Sequence, residues 1–511
     1  MQTKAITTLT FAQTVNMGGD SDSKSRTLSA LSADVLVNIM SFIKPCDIIC
    51  LRQTCKTFSS LTKLRTVWIN AVRSVMVRYS VPAPLFPLEK ATPPVLEHIA
   101  LSPLRFASLL EKHNNVSVEP TCIRFLPSRV SREEQEKYGI TQCGRFTDIF
   151  LAPGGRHLVT LSADGPPVSS VITLWDLGFG GNDMAKPIAR YLEQTQGMVL
   201  DCITADPNRP DVLYLLSKMN VVSPVRRSRV LVHRIFLGNP PEISQCAVKD
   251  VPMNIVHRIY VIPGSGAVIV LYYHDGKFCF WIWDFLANEG ALLLTPNCLP
   301  TAVVKLFAYD NCIMVALDDR ILVFNMPPLT PFEQPLREYM PTIIIAPPYH
   351  SGQSFYINEI GSMSLSPSIN GPRYILRVEQ DALFLFEVRD NVPSTHSSMP
   401  NKLPMTLGAI SLTGQAIRQI FHTASVRRFD DQFFFMQRRG DSLALLMLSP
   451  RLLSVQVRVP GIPLQVVNAT LELSAPGEVV SVDYSPLLGR VCVQTEGNHV
   501  CVLDYLVPPE D

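Results

Sequence analysis

From Thr121 to Asp511 the chain is divided into short runs of β-branched, aliphatic and aromatic residues, separated by Gly, Pro, Asn and Asp. Runs of that length and composition fold as strands, and their regular punctuation predicts an all-β region. Proline argues the same way. There are 41 prolines in 511 residues, and each one inside a helix removes a hydrogen bond and clashes with the preceding turn. Texture alone leaves a sandwich, a barrel or a repeat array open, so internal repeats are the first thing to test.

A strand, a turn and a second strand closing on Trp175-Asp176 occupy residues 155–177. The arrangement recurs over Ala267 to Phe285, closing on Trp283-Asp284, and over Gly489 to Leu506, closing on Leu503-Asp504. Weaker counterparts end at Ile235-Phe236, Phe324-Asn325, Phe386-Glu387 and Met447-Leu448. These segments resemble the WD-repeat family, in which a Trp-Asp or similar pair ends the third strand of each blade. The resemblance implies a β-propeller of about seven blades. Successive marker positions are 41 to 62 residues apart, against about 40–45 for a typical blade, so most blades carry insertions.

One more strand-like run follows six of the markers: Ile188 to Leu192, Cys246 to Val251, Ala291 to Leu294, Leu336 to Met340, Gly408 to Leu412 and Ser454 to Val459. These are the expected outermost strands. The seventh marker has no successor before Asp511, and the run Thr121 to Leu126 is expected to fill that place. Closing the ring with strands from both ends of the propeller leaves only short, protected edges.

Ahead of the β-region, residues 31–43 read LSADVLVNIMSFI. Ser32 suits an N-cap, Asp34 suits the first turn, and Val35, Leu36, Ile39, Met40 and Ile43 form an apolar stripe at helical spacing. Lys44-Pro45 ends that helix, Asp47 is placed to cap a second, and a third short helix is expected around Phe58 to Leu61. Three short helices bury little surface alone. On periodicity they form either a cap on the larger domain or a module that binds a partner.

The residues resemble the F-box family. Leu31-Ser32-Ala33-Asp34 stands where the family opens with Leu-Pro and an acid, followed by its Leu at Leu36 and its Ile at Ile39. Asp47 leads the next helix, Cys55-Lys56-Thr57-Phe58 matches the family's Cys-Lys-x-Trp, and Val67-Trp68 matches its closing pair. Ser32 replaces the family's Pro, and Phe58 replaces Trp. The resemblance implies docking onto a Skp-type adaptor protein, and through it onto a cullin, by apolar helix residues entering a helical groove. Leu31, Leu36, Ile39, Leu51 and Trp68 are then the expected adaptor-binding residues or their direct support, although each can instead serve the module's own core.

The expected organisation is a disordered tail (1–27), an F-box (28–71), a helical linker (72–118) and a β-propeller (119–511). In the linker, a helical pattern runs from Val67 to Tyr79. A Pro-rich passage (82–94) follows it, and Val95 to His113 is helical again. Leu96, Ile99, Leu104, Leu109 and Leu110 are its core candidates.

Composition narrows the function. Lys plus Arg number 45 against 44 Asp plus Glu, so the basic excess usual for nucleic-acid binding is missing. No apolar run reaches the roughly 18 residues of a membrane helix, and Gly266 to Leu286 reads as a buried hairpin broken by His274, Asp275, Lys277 and Asp284. The 12 cysteines are scattered without a CxxC pair, which fits free thiols in the cytoplasm or nucleus. Cys46, Cys50 and Cys55 are expected in the helical core, and Asp318-Asp319 in a tight turn. No P-loop, GxSxG or HExxH motif occurs, so no cofactor, metal or catalytic residue is expected.

The polar feature that stands out is a set of arginine clusters: Arg226, Arg227 and Arg229; Arg427 and Arg428; Arg438 and Arg439. Guanidinium forks bind carboxylate or phosphate at two points. Arg227, Arg428, Arg438 and Arg439 are therefore candidates for contacting a protein cargo, with solvated loop charge as the other reading. The implied function is the substrate receptor of a cullin-type ubiquitin ligase. A scaffold acting outside ubiquitination and a propeller enzyme are the alternatives.

Overall fold

The computed structural model describes residue 28 and residues 31–508, apart from short stretches at turns and the longer runs 296–304, 346–354, 358–372, 391–401, 412–424 and 449–466. The expectations placed on residues 1–27, Ser454 to Val459 and Asp318-Asp319 fall outside the described residues.

The chain opens with α1 (Ala33–Met40), α2 (Pro45–Arg52), α3 (Lys56–Leu61), α4 (Arg65–Arg78) and α5 (Pro93–Lys112). Ser32 caps α1 in an extended conformation, and its carbonyl accepts the Leu36 N–H at 3.0 Å. The cap of α2 is Lys44, not Asp47. Pro45 takes the first helical position, where its fixed φ fits and its missing N–H costs nothing, and Asp47 falls in the first turn. Leu36, Met40, Ile48, Phe58, Val67, Trp68 and Val72 pack with Leu96, Ile99, Phe106 and Leu110 of α5. Leu104, expected in this core, is exposed on the far side of α5.

The β-region is a WD-repeat-like propeller. The described strands form seven sheets, each built on four antiparallel strands. Blade 1 runs through Cys143–Leu151, His157–Asp164, Ser169–Asp176 and Lys186–Glu193. Each of the seven marker pairs lies on the third strand of its own blade. The ring closes as expected: Cys122–Phe125 pairs antiparallel with Val500–Asp504, the third strand of blade 7, in the register Cys122↔Asp504.

Two outer strands lie elsewhere than expected. In blade 4 the fourth strand is Ile343–Ile345, and Glu338–Tyr339 instead joins the edge of blade 3 in parallel with its fourth strand. In blade 6 the fourth strand is Val467–Glu472. A long connection between third and fourth strands contains several strand-like runs, and local pattern does not say which of them reaches the open edge.

Neighbouring blades bury their strands on both faces, which explains continuous apolar runs such as Cys312–Ala316. One face of blade 1, with Leu158 and Trp175, packs on Cys492, Val500 and Val502 of blade 7. Its other face, with Val159, Leu161, Ile172 and Leu174, belongs to the cluster that holds Cys202, Leu216 and Val232 of blade 2. Carboxylates on the first strands stitch the ring further. Asp483 of blade 7 accepts the Leu151 N–H of blade 1 at 2.7 Å, and Asp148 of blade 1 accepts the Leu200 N–H of blade 2 at 2.9 Å. Asp201 of blade 2 takes the Ile259 N–H of blade 3.

The helices are joined to one end of this ring. Phe86 lies against Gly154 in the turn between the first two strands of blade 1, where φ is +90° and a Cβ would stand 2.4 Å from the Phe86 ring. Phe86 also meets the Phe179 ring at 5.1 Å. Farther along, Asn114 and Asn115 bond the backbone of Asn468, and Ser117–Val118 adds in parallel to the edge strand of blade 6. No helix among the described residues is long and apolar enough to cross a membrane.

Candidate protein-docking face

Helix α1 carries apolar residues on two faces, where one stripe was expected. Leu36 and Met40 turn inward and are each 2% exposed. Leu31, Val35, Ile39 and Phe42, spaced four, four and three apart, turn outward at 43%, 45%, 37% and 83% exposure. Leu28, half exposed, extends the row. A helix of a module this small has no reason to present a second apolar face to water unless another surface covers it. Full burial of such a side chain is worth about 1.5–3 kcal/mol, so a half-exposed one has about 1 kcal/mol still to gain.

The five sequence-derived candidates therefore separate. Leu31 and Ile39 are on the free face, and Leu51 is partly buried against the core. Leu36 and Trp68 are internal: they support the face from beneath and do not line it. Trp68 is held by its indole N–H, which donates to the Thr62 carbonyl at 2.8 Å, and by the Arg52 guanidinium over its ring at 5.6 Å. Val35, expected only as part of the helix's single apolar stripe, and Phe42, which was not singled out, complete the face. The spacing 28, 31, 35, 39, 42 was their signal, a second apolar row one residue out of step with the first.

Beside Phe42, a shallow groove of about 370 Å³ is lined by Ser41, Asn70, Arg73, Ser74 and the exposed Val77. Cys50 and Cys55, expected in the core, are exposed on this module. Cys55 caps α3, and the backbone amides of Phe58 and Thr57 draw its thiol below the ordinary value. No three His, Cys, Asp or Glu among the described residues are grouped to hold a metal ion.

Arg52 fixes the module to the linker. Its guanidinium meets Glu97 of α5 at 2.7 and 3.1 Å and donates to the Thr62 carbonyl at 3.1 Å. Nearby, burial and then the Arg105 charge hold the His98 imidazole down at about 4, so it is neutral and its Nδ1 accepts from Arg105 at 3.1 Å.

The arginine candidates divide between the two ends of the propeller. Arg227 begins the third strand of blade 2, and Arg438 and Arg439 end the second strand of blade 6. All three sit at the end away from the helices. Arg428, near the close of the first strand of blade 6, sits at the helix-bearing end and is not grouped with them. Arg229 is already engaged, donating to Asp250 at 2.7 Å.

Residues 28–70 match the F-box domain family. Helices α1 to α3 and the start of α4 are thus an F-box domain, and the outward row on α1 lies within it. No curated protein matches the chain significantly. Among solved structures, the chain is similar to one in the Chaetomium thermophilum Nup170 NTD–Nup53 complex, at 10% identity over 81% of this chain and 68% of that one, with a TM-score of 0.42. It is also similar to the Neurospora crassa Pan2 WD40 domain, at 11% identity over 78% of this chain and 96% of that one, with a TM-score of 0.35.

Proposed function

We propose that this protein is the substrate receptor of a cullin-type ubiquitin ligase in the cytoplasm or nucleus. The uncovered row Leu31, Val35, Ile39 and Phe42 supports this reading most directly, because an apolar helix face suits the groove of a Skp-type adaptor. The propeller, which the linker contacts at one end, would hold the cargo protein at the end away from the F-box, where the strand positions of Arg227 on blade 2 and of Arg438 and Arg439 on blade 6 lie. The protein itself would perform no covalent step. Its contribution is proximity, which raises the effective concentration of cargo lysines near the loaded conjugating enzyme.

The test is capture of a purified Skp-type adaptor by the full chain and by an Ile39→Asp/Phe42→Asp variant. Both positions are exposed, so the variant should keep the parental thermal midpoint and lose adaptor capture. Undiminished capture would exclude this face as the docking site. Failure of the parental chain to capture any adaptor would exclude the receptor role.

A further inference from the structure

A second feature of the helical region lies apart from the α1 face. A cleft of about 290 Å³ opens where α2, the α3–α4 turn and α5 meet, lined by Arg52, Lys63, Trp68, Pro93, Pro94, Glu97 and Arg105. Its walls carry three cations against one carboxylate. Glu97 is committed to Arg52 through both oxygens. Among the described residues Arg105 is hydrogen-bonded to the His98 ring, and Lys63 is exposed on the facing turn. Neither has a carboxylate partner among the described residues.

We infer that this cleft is a binding site for a phosphate monoester, held between Lys63 and Arg105. The charge balance favours phosphate over a single carboxylate, and the donors present suit it. The excess of two positive charges matches a group carrying about −1.5 to −2 at neutral pH. The Arg105 fork presents paired donors suited to phosphate oxygens, with Lys63 as a point charge opposite. Pro93 and Pro94 remove the first two N–H groups of α5, so the side chains, not the helix terminus, supply the donors. A bound phosphate would bridge the F-box turn and the linker helix, bracing the same seam that Arg52 and Glu97 close. The inference does not depend on adaptor docking.

Calorimetric titration of the full chain with inorganic phosphate and with a phosphoserine peptide, at constant ionic strength, tests it. Saturable binding of either is expected. Lys63→Ala/Arg105→Ala should weaken it by at least about tenfold, and Lys63→Arg, which keeps the charge and leaves the Arg105 fork in place, should largely retain it. Tighter binding of the peptide assigns the site to a phosphorylated protein segment, and tighter binding of the inorganic ion assigns it to a free phosphate compound. Absence of saturable binding by both probes, or a smaller loss in the alanine variant, overturns the proposal.

Discussion

Arg124 and Asp504 lie 380 positions apart and meet at 2.6 Å. The same carboxylate also takes the fully buried Arg490. These two arginines then reach the backbone of blade 1, at the carbonyls of Leu177 for Arg124 and of Gly155 and Gly178 for Arg490. One acid at the end of blade 7 thus ties the closing strand, its own blade and the first blade together. Asp504→Ala would remove this carboxylate from the fully buried Arg490 and from the partly buried Arg124 beside it. The expected loss is about 3–5 kcal/mol, read as a lower urea midpoint for propeller unfolding.

Position on α1 decides what a substitution does. Leu36→Ala removes an internal side chain and should cost about 2–5 kcal/mol. Ile39→Ala, at the part-exposed position three residues on, should leave the thermal midpoint nearly unchanged and act only on the adaptor capture we propose. A larger midpoint shift in Ile39→Ala than in Leu36→Ala would show that the helix faces are assigned the wrong way round.

Two acids in blade 1 give opposite pH responses. Burial, reinforced by the Asp483 and Asp201 charges, pushes Asp148 up to about 6 despite the Leu200 and Ile149 amides. A raised folded-state value means that its contribution is fully present below the unfolded value near 3.8 and is lost as pH rises through about 6. Stability should therefore gain between about pH 7 and 5, and Asp148→Asn should flatten that gain. Burial acts to raise Asp176 too, but its bonds to Arg156 at 2.6 and 2.9 Å outweigh it and hold the carboxyl below its ordinary value. Asp176 stabilises above its unfolded value, and that contribution is lost as pH falls through the depressed folded one. The check is the thermal midpoint across pH for the parent, Asp148→Asn and Asp176→Asn.

Cysteine reactivity should separate in the same way. Cys55 is exposed with a lowered thiol value, whereas Cys202 and Cys492 are buried and raised. Because the thiolate is the nucleophile, iodoacetamide should modify Cys55 well before either buried thiol, as read by peptide mass mapping of the native protein. Modification of Cys202 or Cys492 first would contradict their full burial.

The seven third strands were legible because their information is local. A β-branched run, a turn residue and a terminal Trp-Asp or similar pair lie within about 20 residues of one another, as in blades 1 and 3. The helices of the F-box were legible for the same reason, through spacing, Pro45 and the family's residue pattern. Burial and partnership were decided by the tertiary structure. Leu36 and Ile39 are equally apolar and three residues apart, and only the packing of α1 on α4 buries one and leaves the other in water. Nothing in the surroundings of Asp504 announces Arg124, and nothing near Ile343 says that this run, not Leu336 to Met340, completes blade 4. Chain pattern sets what a segment can become at short range, whereas contacts across hundreds of residues exist only once the ring has closed.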